Sequence, residues 1–195
     1  MLFFKNFISI DRLSIYMCRF LVSKYKSVPR SEDLYTFQSA LNIMLSGGPD
    51  GQRIDSHDSI LFGHNRLALF DLSERGSQPF NSSCGRYKIV YNGEIYNHQD
   101  IRNHLTKHSI QWKSSSDTET LIESIRCIGL KESLNLAHGM FSFVLFDKLE
   151  NSLYLCTDRI GVKPLFYSIS NTKKLFIASS EVRPIINILG KENLT

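Results

Sequence analysis

The sequence predicts an α+β layered domain, on three observations. Apolar residues recur at helical spacing in the early chain. Short strands separated by tight turns fill the last third. One of those strands is apolar on both faces and so requires cover on two sides. At 195 residues, with 42% apolar and 22% charged residues, the chain is long enough to enclose such a core without disulfide or metal support.

In chain order, Phe20-Leu21-Val22 marks a buried strand over 18–24. Val28-Pro29 turns the chain. Ser31 has the chemistry of a helix N-cap, with acidic Glu32 and Asp33 in the first turn. Leu34, Phe37, Leu41, Met44 and Leu45 recur at helical spacing until Gly47-Gly48-Pro49 stops the helix. Residues 60–70 read as a strand interrupted at Gly63-His64, and 87–91 as a second strand ended by Asn92-Gly93, a strong turn signal. A helix over 99–108 turns Ile101 and Leu105 inward. The polar run from Ser114 to Asp117 feeds a further helix carrying Leu121, Ile122, Ile125 and Ile128. Over 140–147, Phe141, Phe143 and Leu145 occupy one face and Val144 and Phe146 the other. Strands over 152–157, 165–169 and 175–179 complete the pattern.

Composition excludes several classes of function. The net charge is +4 and the 23 basic residues are scattered, which gives no nucleic-acid surface. No apolar run approaches the roughly 20 residues that cross a bilayer. The opening stretch is broken by Lys5, Asp11 and Arg12 and has no small-residue cleavage site, so it is a poor secretory signal. Cys18, Cys84, Cys127 and Cys156 are widely spaced, with no C-x-x-C pair. Zinc-ribbon and thioredoxin readings fall away, and a reducing, cytoplasmic setting is expected.

The chemistry begins at Met17-Cys18. A cysteine directly after a methionine becomes N-terminal when translation starts at that methionine and it is removed, or when a propeptide is cleaved there. Such a residue carries a thiol and a free α-amine. The amine titrates near pH ~8 and the thiol near ~8.5, so the amine is matched as general base for its own thiol. A small buried residue at a strand start is the plainer reading of the pair alone. Downstream, seven segments follow in order: 63–71 (GHNRLALFD), 76–80 (GSQPF), 91–97 (YNGEIYN), 116–119 (SDTE), 139–143 (GMFSF), 158–167 (DRIGVKPLFY) and 180–183 (SEVR).

Together with Cys18 these segments closely resemble the glutaminase domain of asparagine synthetase, a class II glutamine amidotransferase, from Cys18 to about Ile188. The resemblance implies an N-terminal-nucleophile four-layer αββα sandwich that hydrolyses glutamine to glutamate and ammonia through a γ-glutamyl thioester. It implies Cys18 as nucleophile and base, and an oxyanion hole from the Asn92 amide and the Gly93 N–H. Arg66 is expected on the glutamine α-carboxylate, with Glu94 and Asp117 on its α-ammonium. Asp117 also has the chemistry of a helix N-cap. His64 and the 158–167 segment are expected to be structural. No metal or organic cofactor is implied for this half-reaction. ATP and magnesium are expected only on a synthetase domain or subunit, the implied partner. Aspartate is the default acceptor of the nitrogen.

Three departures stand out. The pattern C-G-I-x-G appears as Cys18-Arg19-Phe20-Leu21-Val22, so arginine replaces a glycine beside the nucleophile. The pattern H-R-G-P-D appears as Ser46-Gly47-Gly48-Pro49-Asp50, so glycine replaces an arginine. That segment also imitates a pyrophosphate loop. Pro49 lacks the backbone donor such a loop needs, and a helix precedes it, so the imitation is rejected. Finally, residues 1–17 precede the nucleophile and are expected to be a misassigned start or a propeptide. The domain is expected over 18–188, with 189–195 a tail and the synthetase domain absent. A chain whose Cys18 stays blocked would be a non-catalytic glutamine-binding or regulatory module.

Overall fold

The computed structural model of the chain describes residues 17–68 and 71–190. The elements run β1 (Arg19–Tyr25), α1 (Ser31–Asn42), β2 (Gly51–His57), β3 (Ile60–Arg66), β4 (Phe80–Asn81), β5 (Tyr87–Ile95), α2 (His98–His104), α3 (Asp117–Ile128), α4 (Leu130–Leu136), β6 (Gly139–Asp147), β7 (Ser152–Thr157), β8 (Phe166–Ser170), β9 (Leu175–Ser179) and α5 (Val182–Leu189).

Two antiparallel sheets form, a five-stranded one in the order β2-β3-β1-β9-β8 and a four-stranded one in the order β4-β5-β6-β7. Strand alternation then fixes the layers. From the first sheet, Phe20 and Val22 of β1, Ile60 and Phe62 of β3 and Ala178 of β9 face Val90 of β5 and Val144 and Phe146 of β6. On the outer side of that sheet, Leu21, Leu61 and Ile177 pack with Phe37 and Leu41 of α1 and Ile185 and Ile188 of α5. Outside the second sheet, Ile89, Tyr91, Phe141, Phe143 and Leu145 pack with Leu121, Ile122 and Ile125 of α3 and Ile101 of α2. The result is helix, sheet, sheet, helix. The two-faced expectation for 140–147 holds residue by residue.

Several sequence expectations are corrected. Asn92-Gly93 is not a turn. β5 runs through it, pairing Asn92 with Ser142 and Gly93 with Phe141 on β6. Gly93 has φ of +152°, and a Cβ there would lie 2.2 Å from Met140 O. Glycine is required by strand crowding, not by chain reversal. β3 is not interrupted, because Gly63 pairs with Leu21 on one side and Ile54 on the other. The last two residues of that expected strand, 69 and 70, lie outside the described residues. β2 escaped notice because its sequence is largely polar and half-buried. α4 and α5 were not anticipated either.

Ser31 is the first helical residue of α1. The N-cap is Arg30, whose N–H donates to Asp33 Oδ2 at 2.8 Å. Phe37, Leu41 and Met44 are buried as expected, whereas Leu34 and Leu45 are exposed. The α3 cap belongs to Ser116, whose Oγ accepts from the Glu119 N–H at 3.2 Å. That leaves the Asp117 carboxylate for other partners.

Phe143 is fully buried between the second sheet and α3. Phe143→Ala is expected to destabilise the fold by about 3–5 kcal/mol, read as a lowered urea midpoint. A shift under about 1 kcal/mol contradicts the layered core.

Candidate active site

Cys18 immediately precedes β1, the central strand of the first sheet. Its sulfur lies against the Leu67 peptide just beyond β3. The Leu67 N–H donates to Sγ at 3.3 Å, and the thiol donates to Leu67 O at 3.4 Å. Burial pushes the Cys18 thiol up, and Asp117 adds to that. The Leu67 N–H, Arg66 and Arg19 oppose it. The thiol is therefore held in its neutral form until a base takes its proton.

A cavity of about 90 Å³ opens at this sulfur, and Cys18, Arg66, Asn92, Gly93, Glu94 and Asp117 all line it. They come from the residue that leads into β1 and from β3, β5 and α3, so both sheets and one outer helix contribute. Asn92 is buried, and among the described residues its Nδ2 has no hydrogen-bond partner. Leaving a buried donor unpaired costs about 1–3 kcal/mol. A ligand oxygen in the cavity would remove that penalty.

Arg66 is held by the loop that follows β3. Its Nη1 donates to Ser73 O at 2.8 Å and to Ser77 Oγ at 3.3 Å, and its Nη2 donates to Asp71 O. The guanidinium is thereby fixed at the cavity wall with further N–H donors to spare. Asp117 Oδ2 accepts from the Tyr91 hydroxyl at 2.8 Å and from the Ile95 N–H at 2.9 Å. Burial nevertheless pushes its carboxyl up, with those hydrogen bonds and His98 opposing. A bound cation would relieve this strain on the carboxylate. Glu94, on the same strand as Asn92, completes the acidic end of the cavity.

Sequence reasoning missed four contributors. Gln78 accepts from the Tyr91 N–H at 2.6 Å and donates to Thr118 at 3.3 Å, tying the post-β3 loop to β5 and α3. Tyr91 holds Asp117, and the Leu67 peptide holds the thiol. Lys163 also lines the cavity. Its ammonium is pushed down mainly by burial, with Arg19 adding, while Glu94, Asp158 and Cys18 pull the other way. The 158–167 segment was read as a structural turn, and Asp158 does anchor it, accepting from the N–H groups of Phe141, Ile160, Val162 and Lys163 at 3.0–3.2 Å. The same turn delivers Lys163 to the site. For Gln78 the signal was Gly76-Ser77-Gln78-Pro79-Phe80 itself. For Leu67 there was none, because a backbone group works whatever its side chain.

The pseudo-phosphate segment braces the site. The Asp50 N–H donates to Arg66 O at 2.9 Å, and Asp50 Oδ2 accepts from the Ala68 N–H at 2.8 Å. Among the described residues no three His, Cys, Asp or Glu side chains gather to hold a metal ion, and no helix is long and apolar enough to cross a membrane.

His64 is buried on β3 with its Nε2 3.2 Å from Tyr91 O, bridging the two sheets. Burial lowers its pKa to about 4 from 6.5. The Tyr91 bond opposes this and Arg66 adds to it. The unfolded chain therefore takes up the proton first as the pH falls. Stability is full above pH ~6.5 and is lost between ~6.5 and ~4, by about 3 kcal/mol. In His64→Gln the urea midpoint is expected to fall less steeply over that window. An unchanged slope contradicts the assignment.

Comparisons with known proteins identify the family and the fold. Residues 17–193 match the family described as a glutamine amidotransferase domain. Asparagine synthetase [glutamine-hydrolyzing] 3 of Bacillus subtilis is 34% identical over 157 residues, covering 80% of this chain and 25% of that protein. Asparagine synthetase [glutamine-hydrolyzing] 1 of the same organism is 30% identical over 162 residues, covering 82% and 25%. Amidase chyE of Penicillium rubens is 34% identical over 138 residues, covering 71% and 20%. The chain thus spans about a quarter or less of the length of these curated relatives. The solved structure of B. subtilis glutamine phosphoribosylpyrophosphate amidotransferase, complexed with ADP and GMP, superposes with a TM-score of 0.69 at 18% identity, covering 88% of this chain and 43% of that one. The two share the four-layer αββα sandwich fold. With the family match spanning residues 17–193, the chain belongs to the glutamine amidotransferase domain family.

Proposed function

We propose that this domain hydrolyses glutamine to glutamate and ammonia, acting in a polypeptide whose first residue is Cys18. The observation that carries the reading is the unpaired, buried Asn92 Nδ2 in the cavity that also holds the Cys18 sulfur.

In this reading the α-amine of Cys18 takes the thiol proton as Sγ attacks the side-chain carbonyl carbon of glutamine. The carbonyl oxygen gains charge and is met by Asn92 Nδ2 and the Gly93 N–H. Collapse breaks the C–N bond, the amine returns the proton to the leaving nitrogen, and ammonia departs. Water, deprotonated by the same amine, then attacks the thioester carbon, the C–S bond breaks, the amine passes that proton to Sγ, and glutamate is released. Arg66 receives the glutamine α-carboxylate with the N–H donors the post-β3 loop leaves over. Asp117 and Glu94 receive the α-ammonium. Sulfur, amine and amide donors supply every step, so the half-reaction calls for no metal or organic cofactor.

The ammonia serves an ATP-dependent amidation, such as aspartate to asparagine, on a synthetase domain or subunit that carries ATP and magnesium. The family match and the relatives named asparagine synthetase support this destination. The reaction domain is 18–188, with residues 1–17 absent from the active species. A cytoplasmic setting keeps the nucleophilic thiol reduced.

Glutamate release by protein beginning at Cys18 tests the reading, and Cys18→Ala is expected to abolish it. Asn92→Ala is expected to lower kcat about a hundredfold or more, with KM for glutamine little changed and Tm not reduced, because the deleted donor has no partner to lose. Unchanged kcat with a fallen Tm contradicts the oxyanion role. Glutamate release that survives Cys18→Ala contradicts the whole reading.

A further inference from the structure

The two departures from the family pattern beside the nucleophile, Arg19 and Gly47, meet in space. A Cβ at position 47 would lie 2.7 Å from Arg19 Cγ and 3.0 Å from its Nε. The arginine side chain lies over position 47 because that residue is glycine. On its other side Arg19 Nε donates to Glu181 Oε1 at 2.7 Å, and the two side chains are only 12% and 20% exposed. A charge-assisted bond in that setting holds its geometry firmly. The guanidinium Nη1 then donates to Cys18 O at 3.2 Å and to Met17 O at 3.0 Å.

Glu181 is itself fixed. Its N–H donates to Ser179 Oγ at 3.2 Å. The Ser180 N–H donates to Phe20 O at 3.2 Å, and Ser180 Oγ accepts from the Phe20 N–H at 3.1 Å. The Ser179–Glu181 segment therefore clasps residue 20 directly and reaches residue 18 through Arg19.

Residue 18 needs such a hold. The β1 ladder begins at Arg19, one residue later. Met17 gives the strand start another tether, its N–H to Gly47 O at 2.7 Å, and that tether is lost in a chain that begins at Cys18. A terminal residue frays unless it is tied down. Tilting of the Cys18–Arg19 peptide plane moves the carbonyl oxygen and the Cys18 Cα together, and carries thiol and amine away from Asn92 and Gly93. We propose that Arg19, locked by Glu181 over Gly47, is the positioning residue that fixes the Cys18 carbonyl and so aims the thiol and the α-amine at the glutamine amide. This rests on the glutaminase reading above.

The test uses protein beginning at Cys18. Arg19→Met keeps length and apolar bulk but removes the donors. It is expected to lower kcat about ten- to a hundredfold with KM for glutamine within about twofold, because a misplacement near 1 Å costs the chemical step and not the grip on substrate. Glu181→Gln and Gly47→Ala disturb the same guanidinium from opposite sides and are expected to lower kcat in the same direction at unchanged KM. They carry the test should Arg19→Met fail to fold. Unchanged kcat in the variants that fold overturns the positioning role and leaves the glutaminase reading standing. A kcat loss matched by an equal rise in KM, or by a fall in Tm of comparable extent, overturns it also. An inactive parent protein overturns both.

Discussion

Packing between the two sheets is the constraint on which the site depends. The nucleophile stands at the start of one sheet and the amide that faces it stands in the other. What holds them together is the apolar seam of Phe20, Val22 and Phe62 against Val90, Val144 and Phe146. Cys18 is two residues from Phe20, and Asn92 is two residues from Val90. In a strand that separation is one full period, about 6.5–7 Å. The seam therefore sets the distance between sulfur and amide almost directly. A bridge from His64 to Tyr91 O reinforces it at the same level of the stack.

The energetics around the cavity share one theme: groups are buried in forms that await a partner. The thiol is held neutral, the Asn92 donor is unpaired, and the Asp117 carboxyl is pushed up. The unpaired Asn92 donor alone is a local cost of order 1–3 kcal/mol against a total stability of about 5–15 kcal/mol. Costs of that size persist where the surrounding structure over-determines them. Here the Tyr91 hydroxyl, the Ile95 N–H, Gln78 and the Asp50 braces do so. A ligand carrying an oxygen acceptor at one end and an ammonium at the other relieves the orphan amide and the buried carboxyl together.

Legibility in the sequence followed burial. Strands apolar on one or both faces, 140–147 above all, were readable because their periodicity records two neighbouring layers. β2 was invisible because a half-buried edge strand has no apolar rhythm. The Asn92-Gly93 dipeptide was misread because the same two residues serve hairpin turns and crowded strands, and only the nearness of Met140 O distinguishes the cases. At the site, the six expected residues followed from the resemblance of their segments to a family, and all six line one cavity. The Leu67 peptide did not follow from it, and the 180–183 segment marked the family without revealing that Ser180 and Glu181 hold residues 19 and 20. Backbone groups leave no trace in composition, and Arg19 with Gly47 looked like two separate losses until the coordinates placed one over the other.

The central claim is that the Cys18 sulfur forms a covalent bond to the glutamine side-chain carbon. Intact-mass analysis of protein beginning at Cys18, quenched in acid during the first turnovers with glutamine, reads this directly. The account predicts a single γ-glutamyl adduct that maps to the N-terminal peptide and decays as glutamate accumulates. Glutamate appearing with no adduct at any time, or an adduct on another residue, contradicts it.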